Sequence, residues 1–425
     1  MVESSKANYL KTFGEDMKIV YLSRSVIPSR AANSINVMKM CHAMASLGHD
    51  VTLLGHFKTD EIKACSFYGV TPIFRSLSIP SISGHATDGP YIFGSWIRAL
   101  ELKPDLAYGR SLETCLLTAL SGIPTLFEAH KFPKTVLANF CARLLFRLPA
   151  FVGLVVITKK LAELFVRQGF LDPPRILVAP SGACHHESNN SSRSKILEMI
   201  PPEARNFDLQ VGYTGHLYPG KGMEIISQLA PLAPWAYFHI IGGRDEDVSF
   251  WKARIGRLPN VHFYGFVPPS LAPAFREIFE VALAPYQKKV RNSGTGIDTG
   301  DNISPLKVIE YMSAGLPVMA SNLESIGEII RHGETGFLIP PDDIDAWLRC
   351  LKHLRDNPEE RKKIGLRARS VFLESYTWDA RARKILSFVQ AYLPAASASS
   401  TRNSISDGSG GARPNSSRAI LSSSE

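Results

Sequence analysis

Short apolar runs alternate with stretches of helical spacing along most of the chain, and this alternation predicts an α/β protein. Residues 17–23 (MKIVYLS) form a run of the kind that a strand buried on both faces requires. Residues 36–47 place apolar side chains at helical spacing, and Gly48 stands where a helix commonly ends. The run HDVTLLGH follows as a second strand. Strand, helix and strand in so short a span make a βαβ unit, whose right-handed crossover sets the two strands parallel. The unit repeats through strands at 104–110, 124–130, 151–158 and 174–180, with helices at 112–121, near 134–147 and at 159–169.

A second series begins after residues 184–206, a stretch rich in His, Asn, Ser and Glu with a Pro pair at 201–202 that reads as an inter-domain linker. Its strands are expected in FDLQVGYTG, AYFHIIGG, NVHFYGF, VALAPY, LPVMAS and GFLIP. Helices are expected after Lys221 and over 361–374 and 378–392. The organisation expected is a flexible start at 1–16, a first doubly wound domain at 17–183, the linker at 184–206, and a second doubly wound domain at 207–377. A helix at 378–393 then crosses back toward the first domain, and a Ser-rich tail at 394–425 is expected to be disordered. Two such domains facing each other leave a ligand crevice between them, outside the carboxyl ends of the strands.

Composition narrows the class. The 425 residues are too many for one ordinary core and suit two. Apolar residues at 45% and charged residues at 20% give the balance of a soluble globular protein. Six cysteines without a CxxC pair point to reduced thiols in a cytoplasmic protein, and the opening residues hold no apolar stretch of signal-peptide length. The window 135–158 is the most apolar, but Arg143, Arg147 and Pro149 interrupt it. It therefore reads as an amphipathic helix followed by a buried strand, not a membrane span. A net charge of +9 favours an anionic partner. With no zinc spacing, RNP-like strand or basic reading helix, nucleic acid is set aside. Phosphate-bearing ligands and membrane surfaces remain.

Two segments carry chemistry. TGHLYPGKG (214–222) runs from a strand end into a helix. Gly215 permits a tight turn there, and Lys221 and Gly222 sit at the helix start, where unpaired amides and the helix dipole favour a phosphate. It is not a P-loop, because no GxxxxGK[ST] occurs. The segment DNISPLKVIEYMSAGLPVMASN (301–322) is sharper. Ser304 is a natural N-cap and Pro305 a favourable first helical residue, so the amides at 304–307 open toward the crevice. Glu310 lies about one and a half turns inside, where a carboxylate can accept from the two vicinal hydroxyls of a ribose.

SPLKVIEYMSAGLPVMAS followed by HGETGFLIPPDD (332–343) resembles the donor-binding signature of retaining glycosyltransferases of the GT-B fold, family 4 type. GYTGHLYPGKG, IIGGRDED, VHFYGFV and NSINVMKMCHAMASLGHDVTLLGH fall in order where that family has its blocks. The likeness spans roughly residues 17–392 and is stronger in the C-terminal half. It implies two Rossmann-like domains, a nucleotide-sugar donor, and a glycan, lipid-linked or small-molecule acceptor, with no cofactor and no metal. Lys221 would bind the donor diphosphate, helped by Gly215, His216, Gly222 and the amides around Ser304, Pro305 and Leu306, with Lys307 as a further cation. Glu310 would hold the ribose, and the backbone at Gly265, Phe266 and Val267 would frame the base. His130, at the end of LFEAH, matches a histidine that contacts the transferred sugar. Asn33 and Ser34 would lie near the phosphates or the acceptor.

The sequence departs from that family's pattern in three places. Asn302 stands where a first glutamate is usual, His216 where an arginine is, and Ser181-Gly182-Ala183-Cys184 replaces an Asn-Gly-Val-Asp turn. These keep open a catalytically weak scaffold of the same fold, and the non-hydrolysing nucleotide-sugar epimerases share the architecture. The DxD at Asp343 and Asp345 reads as a helix cap, and Cys184-His185-His186 has no partner pair at ligand spacing. The basic residues Lys131, Lys134, Arg143, Arg147, Lys159 and Lys160 flank apolar helix faces and could rest on anionic lipid.

Overall fold

The structure, a computed structural model, describes residues 16–29, 31–80, 89–184, 190–268, 271–290 and 305–393. The segment 1–15, the Ser-rich tail, His185, His186, Asn302 and Ser304 lie outside the described residues. The first half contains β1 (Lys18–Ile27), α1 (Ala32–Ser46), β2 (Asp50–Phe57), α2 (Glu61–Tyr68), β3 (Arg75–Ser78), α3 (Gly89–Leu102) and β4 (Leu106–Gly109). It continues with α4 (Leu112–Leu120), β5 (Thr125–Ala129), α5 (Val136–Arg147), β6 (Phe151–Val156), α6 (Lys159–Arg167) and β7 (Ile176–Val178). The stretch read as a linker contains a helix of its own, α7 (Asn190–Met199).

The second half contains β8 (Leu209–Thr214), α8 (Met223–Leu232), β9 (Ala236–Ile241), α9 (Asp245–Ile255), β10 (Val261–Gly265), α10 (Ala272–Arg276) and β11 (Val281–Ala284). Then come α11 (Leu306–Ser313), β12 (Val318–Ser321), α12 (Glu324–Gly327), β13 (Phe337–Ile339), α13 (Ile344–Asp356), α14 (Pro358–Ser375) and α15 (Trp378–Tyr392).

Among the described residues the strands form two sheets, ordered β3-β2-β1-β4-β5-β6-β7 and β10-β9-β8-β11-β12-β13, and the named strand pairs are parallel. The apolar runs follow from this arrangement, because helices cover both faces. Along β1, Ile19 and Tyr21 enter one core while Val20 and Leu22 enter the other. Val281 and Leu283 of β11 divide from Ala282 and Ala284 in the same period-two way.

Three helices start on a threonine whose hydroxyl takes an orphan amide: Thr135 from Ala138 at 3.2 Å, Thr158 from Leu161 at 3.2 Å and Thr377 from Ala380 at 3.0 Å. The last helix, α15, packs on the first sheet's core through Trp378, Ala382, Ile385, Leu386 and Val389. Glycine at 153 makes room for it, since a β-carbon there would lie 2.5 Å from the Phe388 ring. This helix is thus built into the first half. Tyr376 O accepts from Ala183 N at 2.9 Å beside it, where the chain enters the linker.

Three expectations are corrected. The first helix begins at Ala32, not at 36. The strand β3 (RSLS) and the helices α2, α3 and α9 were not foreseen. Pro305 is not the first helical residue of α11. Its ψ of 66° turns the backbone off the helical path, so helical structure begins with Leu306.

Candidate functional site

In each sheet the strand order reverses direction at one point, between β1 and β4 and between β8 and β11. Chain segments leaving adjacent strands diverge there and open a crevice. Of the expected residues that are described, Gly215 and His216 follow β8 and Asn33 and Ser34 lie in the helix after β1, while His130 follows β5 and Gly265 ends the edge strand β10. In the second sheet, β8 runs into Gly215 and His216, β11 into Pro285 and Tyr286, and α11 begins nearby with Leu306 and Lys307.

Two ammonium groups meet over aromatic rings at this point. Lys307 Nζ lies 3.8 Å from the centroid of Tyr213 and 4.7 Å from that of Tyr286, and Lys221 Nζ lies 5.5 Å from the Tyr286 centroid. Ring faces attract cations, but they replace only part of the lost hydration. Lys307 is buried and its Nζ makes no hydrogen bond among the described residues. Burial, then the neighbouring Lys221, hold its pKa well below the ordinary lysine value. Burial also lowers Lys221. His216 stacks on Tyr218, 4.8 Å between centroids and 9° between planes, and burial followed by the two lysines keeps it neutral to lower pH than usual.

The loop backbone is held more tightly than expected. Gly220 N and Gly222 N donate to the Glu224 carboxylate at 2.7 and 3.3 Å, and Lys221 N donates to Tyr218 O at 3.0 Å. The Gly222 amide anticipated as a phosphate donor is therefore already engaged, because Glu224 caps the loop from the first turn of α8. The positive field at this loop comes from side chains. Gly222 itself is required by packing: its φ is 126° and a β-carbon would lie 2.5 Å from Pro285 Cγ. Gly265 O accepts from Gly242 N at 2.7 Å, which pins the end of β10 beside the β9 loop, with Phe266 partly exposed and Val267 packed on the core.

Glu310, on α11, is 38% exposed and pairs at 3.3 Å with Arg276 NH1 of α10, a buried arginine the sequence reading missed. Both border a cavity of about 110 Å³ that also touches Asn36 and Lys39 of α1, Gly182 and Trp378. Elements of both halves thus share one cavity wall. The halves also meet where Glu328 accepts from Lys159 N at 2.9 Å and Glu324 from Lys160 Nζ at 2.8 Å.

At the first switch point, Asn33 is exposed and its carbonyl accepts from Arg110 at 3.3 Å. Ser34 is fully buried, and its hydroxyl is occupied by Ala31 O at 2.8 Å, Ser29 Oγ at 2.9 Å and Ser29 O at 3.1 Å. His130 follows β5 directly, and its Nε2 lies 2.5 Å from Glu128 Oε1. Glu128 is fully buried, and its other oxygen meets the Tyr108 hydroxyl and, at 3.1 Å, Arg381 of α15. Burial opposes ionisation of Glu128, but Arg381 and His130 hold its carboxyl well below the usual range. Burial, then Arg110, bring His130 down to about 4. Glu128, Arg381, Arg276, Tyr213 and Tyr286 were not singled out beforehand. The readable signal was a lone glutamate inside the buried run LFEA, which must find a cation.

Asp343 caps α13 by accepting from Ala346 N at 2.9 Å. Among the described residues no group of three or more His, Cys, Asp or Glu gathers as metal ligands.

Residues 208–357 match the family described as Glycosyl transferases group 1. Over 182 residues the chain is 26% identical to a Bacillus subtilis protein named as a candidate teichuronic acid biosynthesis glycosyltransferase, 42% of each chain. It is 25% identical over 171 residues to a phosphatidyl-myo-inositol mannosyltransferase of Mycobacterium leprae, 40% of this chain and 42% of that one. The matched region spans less than half the length of these curated relatives. In structure, the chain is similar to the Anabaena HepE protein solved with UDP and glucose, with a TM-score of 0.66 at 16% identity over 88% of this chain and 100% of that one. A glycosyltransferase from Rickettsia africae gives a TM-score of 0.68 at 13% identity over 89% and 99%. The chain has the GT-B fold, two parallel-sheet α/β units, and residues 208–357 of its second unit carry the glycosyl transferases group 1 sequence.

Proposed function

We propose that the chain is a retaining glycosyltransferase, working without a metal, that moves a sugar from a nucleoside-diphosphate donor to a glycan, lipid-linked or small-molecule acceptor. The observation that supports this best is the pair Lys221 and Lys307, two amine groups converging on Tyr286 at a strand end, one of them buried without a hydrogen-bond acceptor among the described residues. Such a cluster gains most from an anion that brings its own charge. Cleaving the bond to a diphosphate builds negative charge on the departing oxygens, and preorganised cations stabilise that charge more than they stabilise the ground state. The two lysines occupy the role a divalent ion plays elsewhere. Glu310 is partly exposed on the same helix and can accept from ribose hydroxyls, with Arg276 donating to it at 3.3 Å and so holding its direction. His130 then serves the sugar, from the other side of the cleft.

Relatives named for glycosyl transfer and a structural neighbour solved with UDP and glucose agree with this reading. The test is turnover of UDP-glucose, GDP-mannose and ADP-glucose in EDTA with acceptor extracts, the anomeric configuration of any product being read by proton NMR. Transfer with retention in EDTA supports the reading. Transfer only with added metal, or with inversion, removes the corresponding part of it.

The acceptor side has a surface that suits a membrane. Val136, Leu137 and Phe140 of α5 are 89%, 66% and 64% exposed, with Lys131 and Lys134 just before them. A cytoplasmic enzyme could rest this patch on anionic lipid at the inner face. Arg143 does not join it: its guanidinium donates to Gly169 O at 3.1 Å and covers the Phe170 ring at 4.1 Å. Among the described residues no helix is long and apolar enough to cross a membrane.

A further inference from the structure

Glu128 and His130 stand two residues apart in the sequence of β5 and its loop, while Arg381 comes from α15, the last helix among the described residues. The glutamate and the arginine form an ion pair with side chains 0% and 2% exposed. Such a pair contributes little net stability compared with an apolar replacement, so stability alone does not account for it. The geometry supplies another reason. An ionised carboxylate only accepts, so the ring nitrogen facing Glu128 Oε1 at 2.5 Å must carry the hydrogen. That nitrogen is Nε2. The imidazole is neutral at ordinary pH, so Nδ1 is left with a lone pair, and no hydrogen bond reaches it among the described residues. His130 keeps 25% of its side chain exposed. A neutral histidine fixed in this form offers an acceptor, not a donor, to whatever fills the cleft.

The same guanidinium reaches the segment that joins the two halves. Arg381 Nε donates to Pro180 O at 3.0 Å and approaches Ala179 O at 3.4 Å, and its NH1 lies 3.5 Å from the Tyr108 hydroxyl. One side chain therefore touches the carboxylate behind His130, the tyrosine beside it and the backbone entering the linker.

We propose that Glu128 and Arg381 are positioning residues, a buried pair that locks His130 as the Nε2–H tautomer so that Nδ1 accepts a hydrogen bond from a hydroxyl of the bound sugar, and that ties this orientation to the chain entering the linker. This rests on the glycosyltransferase reading for the identity of the ligand, but the tautomer does not. The charged and titratable groups around His130 are Glu128 on β5, Tyr108 and Arg110 at the end of β4, and Arg381 on α15. A neutral amide at 128 can donate as well as accept, so it no longer forbids the Nδ1–H tautomer.

The test is nitrogen-15 NMR of histidine-labelled full-length protein, with turnover of UDP-glucose, GDP-mannose and ADP-glucose, and UDP, GDP and ADP binding as the control. In wild type the His130 Nδ1 should resonate as an unprotonated nitrogen and Nε2 as a protonated one. Glu128→Gln should mix the tautomers and lower kcat roughly 100-fold, the scale of a small misplacement in a catalytic constellation, while nucleotide affinity stays within about twofold of wild type. Arg381→Met alone leaves a buried carboxylate uncompensated and could unfold the chain. The double variant Glu128→Gln with Arg381→Met removes both charges, and should fold, bind nucleotide and lose turnover. A protonated Nδ1 in the wild type, or wild-type kcat in Glu128→Gln, overturns the proposal. Failure of the wild type to bind any of the three nucleotides would count against the transferase reading, while an Nε2–H signal in the same sample would still support the tautomer lock.

Discussion

At the end of β5, Glu128 is matched by Arg381, Tyr108 and His130, whereas at the end of β8 the ammonium groups of Lys221 and Lys307 face rings and one another. Both clusters have buried charged members, but among the described residues only the first sets a carboxylate against its cation, Glu128 at 3.1 Å from Arg381. A paired cluster holds a shape. An uncompensated one holds free energy that an arriving anion releases, since burying a charge without a partner is costly. On the proposed reading, the first sheet keeps a histidine in a set orientation and the second keeps a cation for a phosphate.

Removing charge should therefore have opposite consequences for stability in the two places. The largest effect is expected at Arg381: replacing it by Ala strands the Glu128 carboxylate and should cost about 3–5 kcal/mol, read by urea unfolding. Lys307→Met should leave the unfolding midpoint unchanged or raise it, because it deletes a buried amine that has no acceptor among the described residues. The same change should weaken binding of a nucleoside diphosphate by about 1.5–3 kcal/mol, the scale for hydrogen bonds to charged groups. A Lys307→Met protein that is both less stable and unaltered in nucleotide affinity would place the lysine in the framework and not in the site.

Glu310→Ala should weaken nucleotide binding by about 1–3 kcal/mol through the lost ribose contacts. It should also lower stability somewhat, because Arg276 loses its carboxylate.

Taken per pH unit and per group, the effect of acid is the smallest. Burial lowers His130 from 6.5 to about 4 and His239 from 6.5 to about 3. Between those values and 6.5 the unfolded chain binds protons that the folded chain refuses. Stability should then fall as pH drops from 6.5 toward 4, by up to about 1.4 kcal/mol per pH unit for each histidine. Glu128, held low by Arg381, adds to the loss on further acidification. Thermal melts between pH 7 and 4 check this, and a flat profile would contradict it.

The sequence was most readable where one pattern decided the outcome. The helical spacing over 378–392 marked α15 to the residue, and uniformly apolar runs marked the central strands. The polar edge strand β3, whose side chains are half-buried or exposed, offered no such run. Lys221, Glu310 and His130 could be named as candidates because each sits in a local string of recognisable chemistry. The pairs Glu128–Arg381 and Glu310–Arg276 were not, because tertiary contacts between separate elements create them. Nor could spacing reveal that Glu224 occupies the loop amides, since a first-turn glutamate is also an ordinary helix residue.

The decisive measurement is calorimetric titration of UDP, GDP and ADP into the full-length protein in EDTA, beside Lys221→Met and Lys307→Met. Our account predicts metal-free binding of at least one nucleotide, weakened in both variants, with proton uptake at alkaline pH as the depressed Lys307 amine gains a phosphate partner. Binding that appears only with added divalent metal, or that survives both substitutions unchanged, would contradict it.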